Sequence, residues 1–160
     1  MQKEEIYDVI IIGGSYAGLS AAMSLGRSSR KVLIIDSGKP CNQQTPHSHN
    51  FLTRDGEKPA ELAAIAKAQV LAYPTVKMIN TLATGVTKIK FGFAVSTSEN
   101  QNFKTKKIVL TTGVKDIFPN IIGFAQCWGI SVLHCPYCHG YEVKNKKLGV
   151  IANGEIGFEF

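Results

Sequence analysis

The first 36 residues contain the feature that most constrains the fold: an apolar run, a glycine-rich turn, a small-residue stretch and a second apolar run. The run "YDVIII" at 7–12 is β-branched and ends at glycine, which is typical of a strand buried in a parallel sheet. After "GGSYAG" comes "LSAAMSLGRSS", with small and apolar residues at helical spacing, and then "KVLIID" at 31–36. Together these segments predict a βαβ unit with a right-handed crossover.

The turn itself follows the pattern G-x-G-x-x-G, in which the glycines permit a tight turn, close approach of a pyrophosphate, and close packing of helix on strand. Gly13 and Gly18 occupy the first and third positions, whereas Ser15 occupies the second. The helix that follows would offer its free N–H groups to phosphates. Asp36 ends the second predicted strand, where a carboxylate can accept hydrogen bonds from a ribose. The pattern in this context favours a dinucleotide site over a purely structural turn.

A long segment without periodicity follows at 37–59 and is rich in turn-forming residues. Loops of this length in compact domains are usually functional or disordered. Pro59 suits the first turn of a helix, which the composition predicts over 59–73.

Further strands are predicted at 75–80, at 86–97 as a pair around Gly92, and at 103–113. The alternation of apolar and polar residues in this stretch indicates an antiparallel meander beside the parallel sheet. The chain is therefore expected to be α/β and Rossmann-like.

The last part of the chain has a different character. Residues 114–129 predict an irregular connection, and the apolar residues 130–134 predict a short strand. Residues 147–160 predict the start of a second strand, glycine turn and helix, in which "ANGEIG" at 152–157 is a degraded second dinucleotide motif. A βαβ unit needs a returning strand, so we expect this chain to be the first part of a larger protein.

The sequence "HCPYCHGYE" at 134–142 is the most chemically suggestive stretch. In a redox Cys-x-x-Cys pair one thiol is exposed and easily ionised, and the other resolves the mixed disulfide. An imidazole nearby can stabilise the thiolate or move its proton. Both His134 and His139 neighbour a cysteine, and for His134 an ordinary structural role is the expectation.

A zinc site is the main alternative for Cys135 and Cys138. A structural zinc ion needs four ligands, typically from a second short pair, and the sequence has no second pair. A glutaredoxin-like fold is excluded by length, because most of that domain would have to follow the cysteines. Cys41 and Cys127 stand alone, and we expect each to be a buried free cysteine.

Composition narrows the classes of function. The chain is 44% hydrophobic and 19% charged, as in a globular domain with a real core. The net charge of +6 comes from dispersed lysines apart from 104–107 and 144–147, and no nucleic-acid-binding module is evident. The longest apolar run is too short to span a bilayer, and no signal peptide is visible. We therefore expect a cytoplasmic protein without membrane or nucleic-acid partners.

The combined features resemble the low-molecular-weight thioredoxin reductase family and its flavin-dependent relatives, including dithiol oxidases. The matching stretches are "YDVIIIGGSYAGLSAA", "VLIID", "SHNFLTRDG", "IVLTTG", "HCPYCHGYE" and "KLGVIANGEIGFEF". The resemblance implies an incomplete Rossmann-like FAD-binding domain, with its first segment at 1–119. It also implies that residues 120–160 begin an inserted NADPH-type domain that carries the two cysteines.

The resemblance also implies roles for individual residues. Cys138 would be the thiol next to the flavin, Cys135 would attack the substrate, and His139 would move a proton. His139 stands where thioredoxin reductases have an aspartate, which is more similar to the dithiol-oxidase relatives. The FAD-binding residues implied are Gly13, Gly14, Ser15, Ala17, Gly18, Asp36, Gly38, Asn50, Val86, Thr111, Thr112 and Gly113.

Three hypotheses follow. The first is an FAD-dependent enzyme that exchanges electrons between the flavin and the Cys135–Cys138 pair, with NADPH or oxygen as the other redox partner. Its substrate would be a thioredoxin-like protein or a small dithiol or disulfide, and the resemblance implies a homodimer. The second is a nucleotide-binding remnant without turnover. The third is a zinc-binding module.

Overall fold

The computed structural model describes residues 5–152. Within these residues the chain forms a six-stranded sheet and four helices. In chain order the elements are β1 (Ile6–Ile12), α1 (Tyr16–Arg27), β2 (Val32–Asp36), α2 (Pro59–Leu71), β3 (Val76–Asn80), β4 (Ala83–Ile89), β5 (Gly92–Thr97), β6 (Asn102–Leu110), α3 (Phe124–Cys127) and α4 (Pro136–Val143).

The sheet has the strand order β3-β2-β1-β6-β5-β4. The pairs β3–β2, β2–β1 and β1–β6 are parallel, whereas β6–β5 and β5–β4 are antiparallel. In the centre of the sheet Ile11 lies opposite Ile34 on one side and Val109 on the other. The predicted α/β fold, with a parallel sheet and an antiparallel meander, is confirmed.

Both faces of β1 and β2 are buried along most of their length, which explains why the sequences of these two strands are almost continuously apolar. Val9 and Ile11 pack on one face with Leu19 and Ala22 of α1 and with Val70 of α2. Full burial of a side chain of this size contributes about 1.5–3 kcal/mol.

The other face is covered by the meander. Ile10, Leu33 and Ile35 form a second cluster there with Val95 of β5. The meander starts beside the end of β2, because the amide of Thr81 donates to the carbonyl of Asp36 at 2.9 Å. Ligands bind at the carboxyl ends of the strands in open α/β sheets, and this is the edge at which the glycine turn leaves β1 and at which β2 ends.

Two strand predictions in the last part of the chain are wrong. Residues 130–134 form no strand, and only an isolated bridge joins Trp128 to Val132. Residues 147–152 are irregular, so the predicted second strand is not formed in the portion of 147–160 that the structure describes. The second glycine motif, at 152–157, lies outside the described residues apart from Ala152.

Candidate functional site

The glycine turn after β1 is packed tightly against the end of β6. Gly13 has φ +104°, and a Cβ there would overlap the carbonyl oxygen of Thr111. A Cβ on Gly18 would overlap the carbonyl oxygen of Gly13. The Thr111 hydroxyl lies 2.7 Å from the carbonyl oxygen of Gly13 and 2.9 Å from that of Ile12, so it donates to one of them at a time. The two outer glycines of the motif are therefore required by the backbone itself.

Gly14 and Asp36 connect this turn to the end of β2. The Gly14 amide donates to Oδ1 of Asp36 at 2.9 Å, and the Gly38 amide donates to Oδ2 at 3.2 Å. A Cβ on Gly14 would lie 2.6 Å from Cε of Met78 and 2.9 Å from Cβ of Asp36. Asp36 was expected to face a ribose, and this stays a prediction. The structure shows that its carboxylate accepts hydrogen bonds from the turn, which the sequence did not predict.

The N-terminus of α1 is open and positively polarised. Ser15 is the N-cap, and its side chain makes no capping hydrogen bond with the described residues. The amide of Leu19 donates to the carbonyl of Ser15 at 2.8 Å, so the amides that precede Leu19 have no carbonyl one turn back within the helix. Ser15, Tyr16 and Ala17 are exposed, and the first turn contains no acidic residue. This end of α1 can accept an anion such as a pyrophosphate.

The remaining predicted cofactor residues are more dispersed. Asn50 lies in the loop between β2 and α2 with φ +61°, and its amide donates to Oδ1 of Asp55 at 2.7 Å. Thr112 and Gly113 are exposed directly after β6. Val86 is half-exposed in β4, opposite Val95 of β5. The structure thus gathers the glycine turn, Asp36 and Thr111 at one edge of the sheet.

The two cysteines are joined by a disulfide at the start of α4, a helix that the sequence did not predict. Cys135 is the N-cap, with its Cα 5.3 Å from that of Cys138. The Cys138 amide donates to the Cys135 sulfur at 3.1 Å. A thiolate at this N-cap would face the positive end of the helix, which stabilises negative charge.

A cavity of about 230 Å³ lies between this segment and the loop that follows β2. Val114 and Asp116, which follow β6, also contribute to its wall. All four histidines of the chain line the cavity together with Cys138. The lining residues are Cys41, Asn42, Thr45, His47, Ser48, His49, Pro59, Val114, Asp116, Trp128, Gly129, His134, Cys138 and His139.

Of the residues in this wall, the sequence predicted a chemical role only for Cys138 and His139. The two loop histidines were missed, and the alternating histidines of "PHSHN" at 46–50 were the available signal. His134 was expected to be unremarkable, but its ring stacks on Trp128 with the centroids 5.2 Å apart. Trp128 is held in turn by a hydrogen bond from Nε1 to Oδ2 of Asp116 at 3.2 Å.

Of the two cysteines outside the disulfide, one differs from the prediction in its burial. Cys41 was expected to be buried but is exposed, because the loop that carries it runs over the surface. Cys127 at the end of α3 is half-buried. Neither forms a disulfide within residues 5–152.

The cavity lies a short chain distance from the glycine turn. Thr111, against the turn, is three residues before Val114 in the cavity wall, so their Cα atoms are at most about 11 Å apart. Asp36 precedes Cys41 by five residues, which limits the distance between the Cα atoms of these two residues to about 18 Å. The wall of the cavity therefore comes within about 11 Å of Thr111, which packs against the glycine turn.

The described part of the chain contains neither a metal-binding cluster nor a helix able to span a membrane. Among residues 5–152 no group of three or more histidine, cysteine, aspartate and glutamate side chains is arranged to hold a metal ion. In the same part of the chain, no helix combines the length and apolar composition needed to cross a bilayer.

The model of the pyridine nucleotide-disulphide oxidoreductase family matches residues 7–160, nearly the whole chain. The chain belongs to this family. The resemblance to thioredoxin reductases that the sequence predicted is confirmed by similarity to curated members. A thioredoxin reductase of Claviceps purpurea is 35% identical over 160 residues, which cover 98% of this chain and 50% of that protein. A thioredoxin reductase of Ureaplasma parvum is 30% identical and is covered to 51%.

Solved structures of oxidoreductases agree with this membership. An oxidoreductase from Agrobacterium tumefaciens is 41% identical with a TM-score of 0.92, over 97% of this chain and 52% of that one. A putative thioredoxin reductase from Bacillus anthracis is 34% identical with a TM-score of 0.83, over 86% and 46%. The chain spans about half the length of the family members it matches.

Proposed function

We propose that this chain is part of an FAD-dependent thiol–disulfide oxidoreductase in which the Cys135–Cys138 pair is the redox-active centre. One observation carries the proposal. Cys138 of a formed disulfide lines a cavity whose wall, at Val114, lies at most about 11 Å from Thr111 beside the glycine turn. Similarity to thioredoxin reductases at 30–36% identity supports the same chemistry.

The residues at the sheet edge fit the phosphate part of FAD. Backbone carbonyls leave no room for a side chain at Gly13 or Gly18, the side chains of Met78 and Asp36 leave none at Gly14, and the open N-terminus of α1 suits an anion. Within this proposal Ser15 and Ala17 also face the pyrophosphate. Asp36, Gly38 and Val86 lie toward the adenosine, and Asn50, Thr111, Thr112 and Gly113 lie toward the flavin.

Bound FAD would supply a two-electron carrier to the cysteine pair. The protein's own part is thiol–disulfide exchange. The Cys135 thiolate attacks one sulfur of a substrate disulfide, which breaks the substrate S–S bond and releases one thiol. The Cys138 thiolate then attacks the Cys135 sulfur, releases the second thiol and re-forms the Cys135–Cys138 bond. Two electrons pass from the pair to the substrate, and the reverse sequence oxidises a dithiol.

His139 is proposed as the proton carrier for this exchange. It follows Cys138 directly, is half-buried and lines the same cavity as Cys138. An imidazole can take the proton of one thiol and return it to a leaving thiolate near neutral pH. The sulfurs of a disulfide are also unavailable as thiolate ligands, which supports redox chemistry over a zinc site.

The finer assignments belong to the same proposal. Residues 1–119 would be the first segment of the FAD domain, and residues 120–160 the beginning of an NADPH-type domain. The redox partner would be NADPH or oxygen, and the substrate a thioredoxin-like protein or a small dithiol or disulfide. A cytoplasmic homodimer is the proposed form. Because the chain spans about half of its relatives, turnover by this chain alone needs a direct test.

Titration of the purified chain with FAD tests the proposal, with flavin fluorescence and the visible spectrum as readouts. Saturable binding is expected for the wild type and for Gly85→Ala, since a Cβ at Gly85 meets no described atom within 4 Å. Gly18→Ala should lose binding, because its Cβ overlaps the Gly13 carbonyl. Absence of saturable binding to the folded wild type would contradict the FAD assignment.

A second step separates the enzyme from a nucleotide-binding remnant. The FAD-loaded chain is mixed with NADPH and a chromogenic disulfide, and separately with a dithiol under oxygen. Turnover that is lost in Cys138→Ser supports the enzyme. Saturable FAD binding without turnover in either assay would support the remnant, and circular dichroism checks that each variant is folded.

A further inference from the structure

His49 lies between the loop that follows β2 and the helix that carries the cysteines. Its Nδ1 is 3.6 Å from Oδ1 of Asp55 in the same loop. Its Nε2 is 3.5 Å from Oε1 of Glu142 on α4. The imidazole is therefore the middle of a carboxylate–imidazole–carboxylate bridge between two segments that are far apart in sequence.

On the loop side of this bridge, hydrogen bonds within the loop hold its backbone. The Ser48 amide donates to the carbonyl of Glu57 at 2.8 Å, and the Gly56 amide donates to the carbonyl of Ser48 at 2.8 Å. Oδ1 of Asp55, which faces His49, also accepts from the Asn50 amide at 2.7 Å. These hydrogen bonds within the loop hold Asp55 beside His49.

The helix side of the bridge is one turn away from the disulfide. Glu142 follows Cys138 by four residues in α4, so both side chains lie on the same face of the helix. His49 and Cys138 also line the same cavity. An attraction between His49 and Glu142 therefore holds the face that carries Cys138 toward the cavity.

The charge of the imidazole decides whether both contacts are favourable. A protonated ring has two N–H donors and can serve Asp55 and Glu142 together. A neutral ring has one N–H, so its unprotonated nitrogen would present a lone pair to one of the carboxylates. Histidine is the side chain whose charge ordinarily changes between pH 5 and 8.

Other titratable groups surround the bridge. The ring of His47 in the same loop has its centroid 6.4 Å from that of His49. Across the cavity lie His134, His139 and Asp116. Each of these side chains can carry a charge near the bridge. The experiment must therefore distinguish the effect of His49 from the effects of these neighbours.

We propose that His49 is a positioning residue: its protonated ring ties α4 to the loop through Glu142 and Asp55 and seats the Cys135–Cys138 disulfide at the cavity. When the ring loses its proton as pH rises, one contact fails and α4 is released. Only the consequence of this inference rests on the proposed function: the seated disulfide would place Cys138 next to the proposed flavin.

Hydrogen exchange of the α4 amides in the purified chain tests the proposal without any flavin. At each pH between 5.5 and 8, the exchange rate is divided by the intrinsic rate at that pH to give a protection factor. Protection of α4 in the wild type should fall about two- to fivefold across this range, as expected for an ion pair of this exposure. The loop peptide 41–58 is followed in the same samples as an internal reference.

Matched variants identify the group responsible. His49→Gln and Glu142→Gln should both show low, pH-independent protection of α4 while the loop peptide keeps its protection. His47→Gln is the control, because its Nδ1 bonds the Gly56 carbonyl at 2.9 Å and no carboxylate contact is involved. It should keep the wild-type profile.

Protection of α4 that does not change with pH in the wild type would overturn the proposal. An unchanged wild-type profile in both His49→Gln and Glu142→Gln would overturn it as well. Glu142→Gln remains informative if His49→Gln perturbs the loop, because Glu142 lies on the partly exposed side of α4. Since exchange is measured without flavin, failure here is distinct from failure of the FAD titration.

Discussion

The backbone amide of Gly14 and the carboxylate of Asp36 are joined by a 2.9 Å hydrogen bond. Gly14 belongs to the turn that leaves β1, and Asp36 is the last residue of β2, the neighbouring parallel strand. The second carboxylate oxygen accepts from the Gly38 amide at 3.2 Å. One side chain thus fixes two backbone segments at the edge of the sheet where ligands bind in this class of fold.

Replacing Asp36 with alanine should lower the free energy of unfolding by about 1–2 kcal/mol, because the Gly14 and Gly38 amides lose their acceptors. Asp36→Asn retains one oxygen and should cost less than alanine. Urea denaturation of the two variants and the wild type gives the three free energies of unfolding to be compared. A cost for asparagine equal to that for alanine would show that the hydrogen bonds do not stabilise the turn.

The first 36 residues were predictable because their determinants are local. The apolar run of β1, the crowded glycines and the helical spacing of α1 all act within a few residues of one another. The position of Asp36 at the end of β2 was predicted too, but its bond to Gly14 was not. That bond depends on how the turn folds back across the strand ends, which spacing alone does not specify.

The cavity could not be predicted because its walls come from distant parts of the chain. His49 and Glu142 meet across the cavity edge, yet neither local sequence specifies the other. The wrong strand at 130–134 has a related cause. Its apolar residues fit a strand, but the hydrogen bonding is limited to one bridge beside an aromatic cluster of Phe118, Phe124 and Trp128.

Ser15→Asp should separate the stability of the turn from its ability to bind a phosphate. Aspartate is as good an N-cap as serine, and its charge favours the N-terminus of α1 by about 0.3–1 kcal/mol. The thermal midpoint should therefore stay level or rise. The same charge repels a pyrophosphate, and we expect FAD affinity to fall by at least about tenfold, or 1.4 kcal/mol.

Ser15→Asn is the matched control, since it has nearly the size of aspartate and is also a good N-cap. It should retain most of the FAD affinity, as measured by fluorescence titration beside the charged variant. If asparagine and aspartate weakened binding equally, steric blocking rather than charge would be responsible, and the anion site at α1 would lose its support.

The thiol content of the chain should change in a defined way on reduction. Cys41 and Cys127 are free, and Cys135 and Cys138 are bonded to each other. Alkylation under denaturing conditions should therefore label two cysteines before reduction and four afterwards, with Cys41 and Cys127 as the first pair. Peptide mass spectrometry reports the sites, and labelling of Cys135 or Cys138 in the oxidised protein would contradict the structure.

Alkaline pH should weaken the fold through Tyr7. Burial, with a further contribution from nearby Glu5, raises the pKa of Tyr7 from its ordinary value of 10.0 to about 12. The folded chain therefore binds more protons than the unfolded chain between these values, and stability falls as pH rises above about 10. Tyr7→Phe should reduce this slope in urea denaturation at pH 9–11, whereas an unchanged slope would exclude Tyr7 as its source.

Acid should weaken the ion pairs that connect β1 to its neighbours. Hydrogen bonds from Lys77 and Lys31 lower the pKa of Glu5 to about 2, and Lys106, 2.7 Å from Asp8, lowers the pKa of that carboxyl as well. Because the pKa values of Glu5 and Asp8 in the folded chain lie below the ordinary values of 4.5 and 3.8, the unfolded chain binds more protons in acid. The stabilisation that the ionised Glu5 and Asp8 give to the fold is therefore complete above about pH 5 and is lost as pH falls toward 2.

The double variant Glu5→Gln, Asp8→Asn tests this. Its thermal midpoint should fall less between pH 5 and 2.5 than that of the wild type, and an equal fall would assign acid sensitivity to other groups.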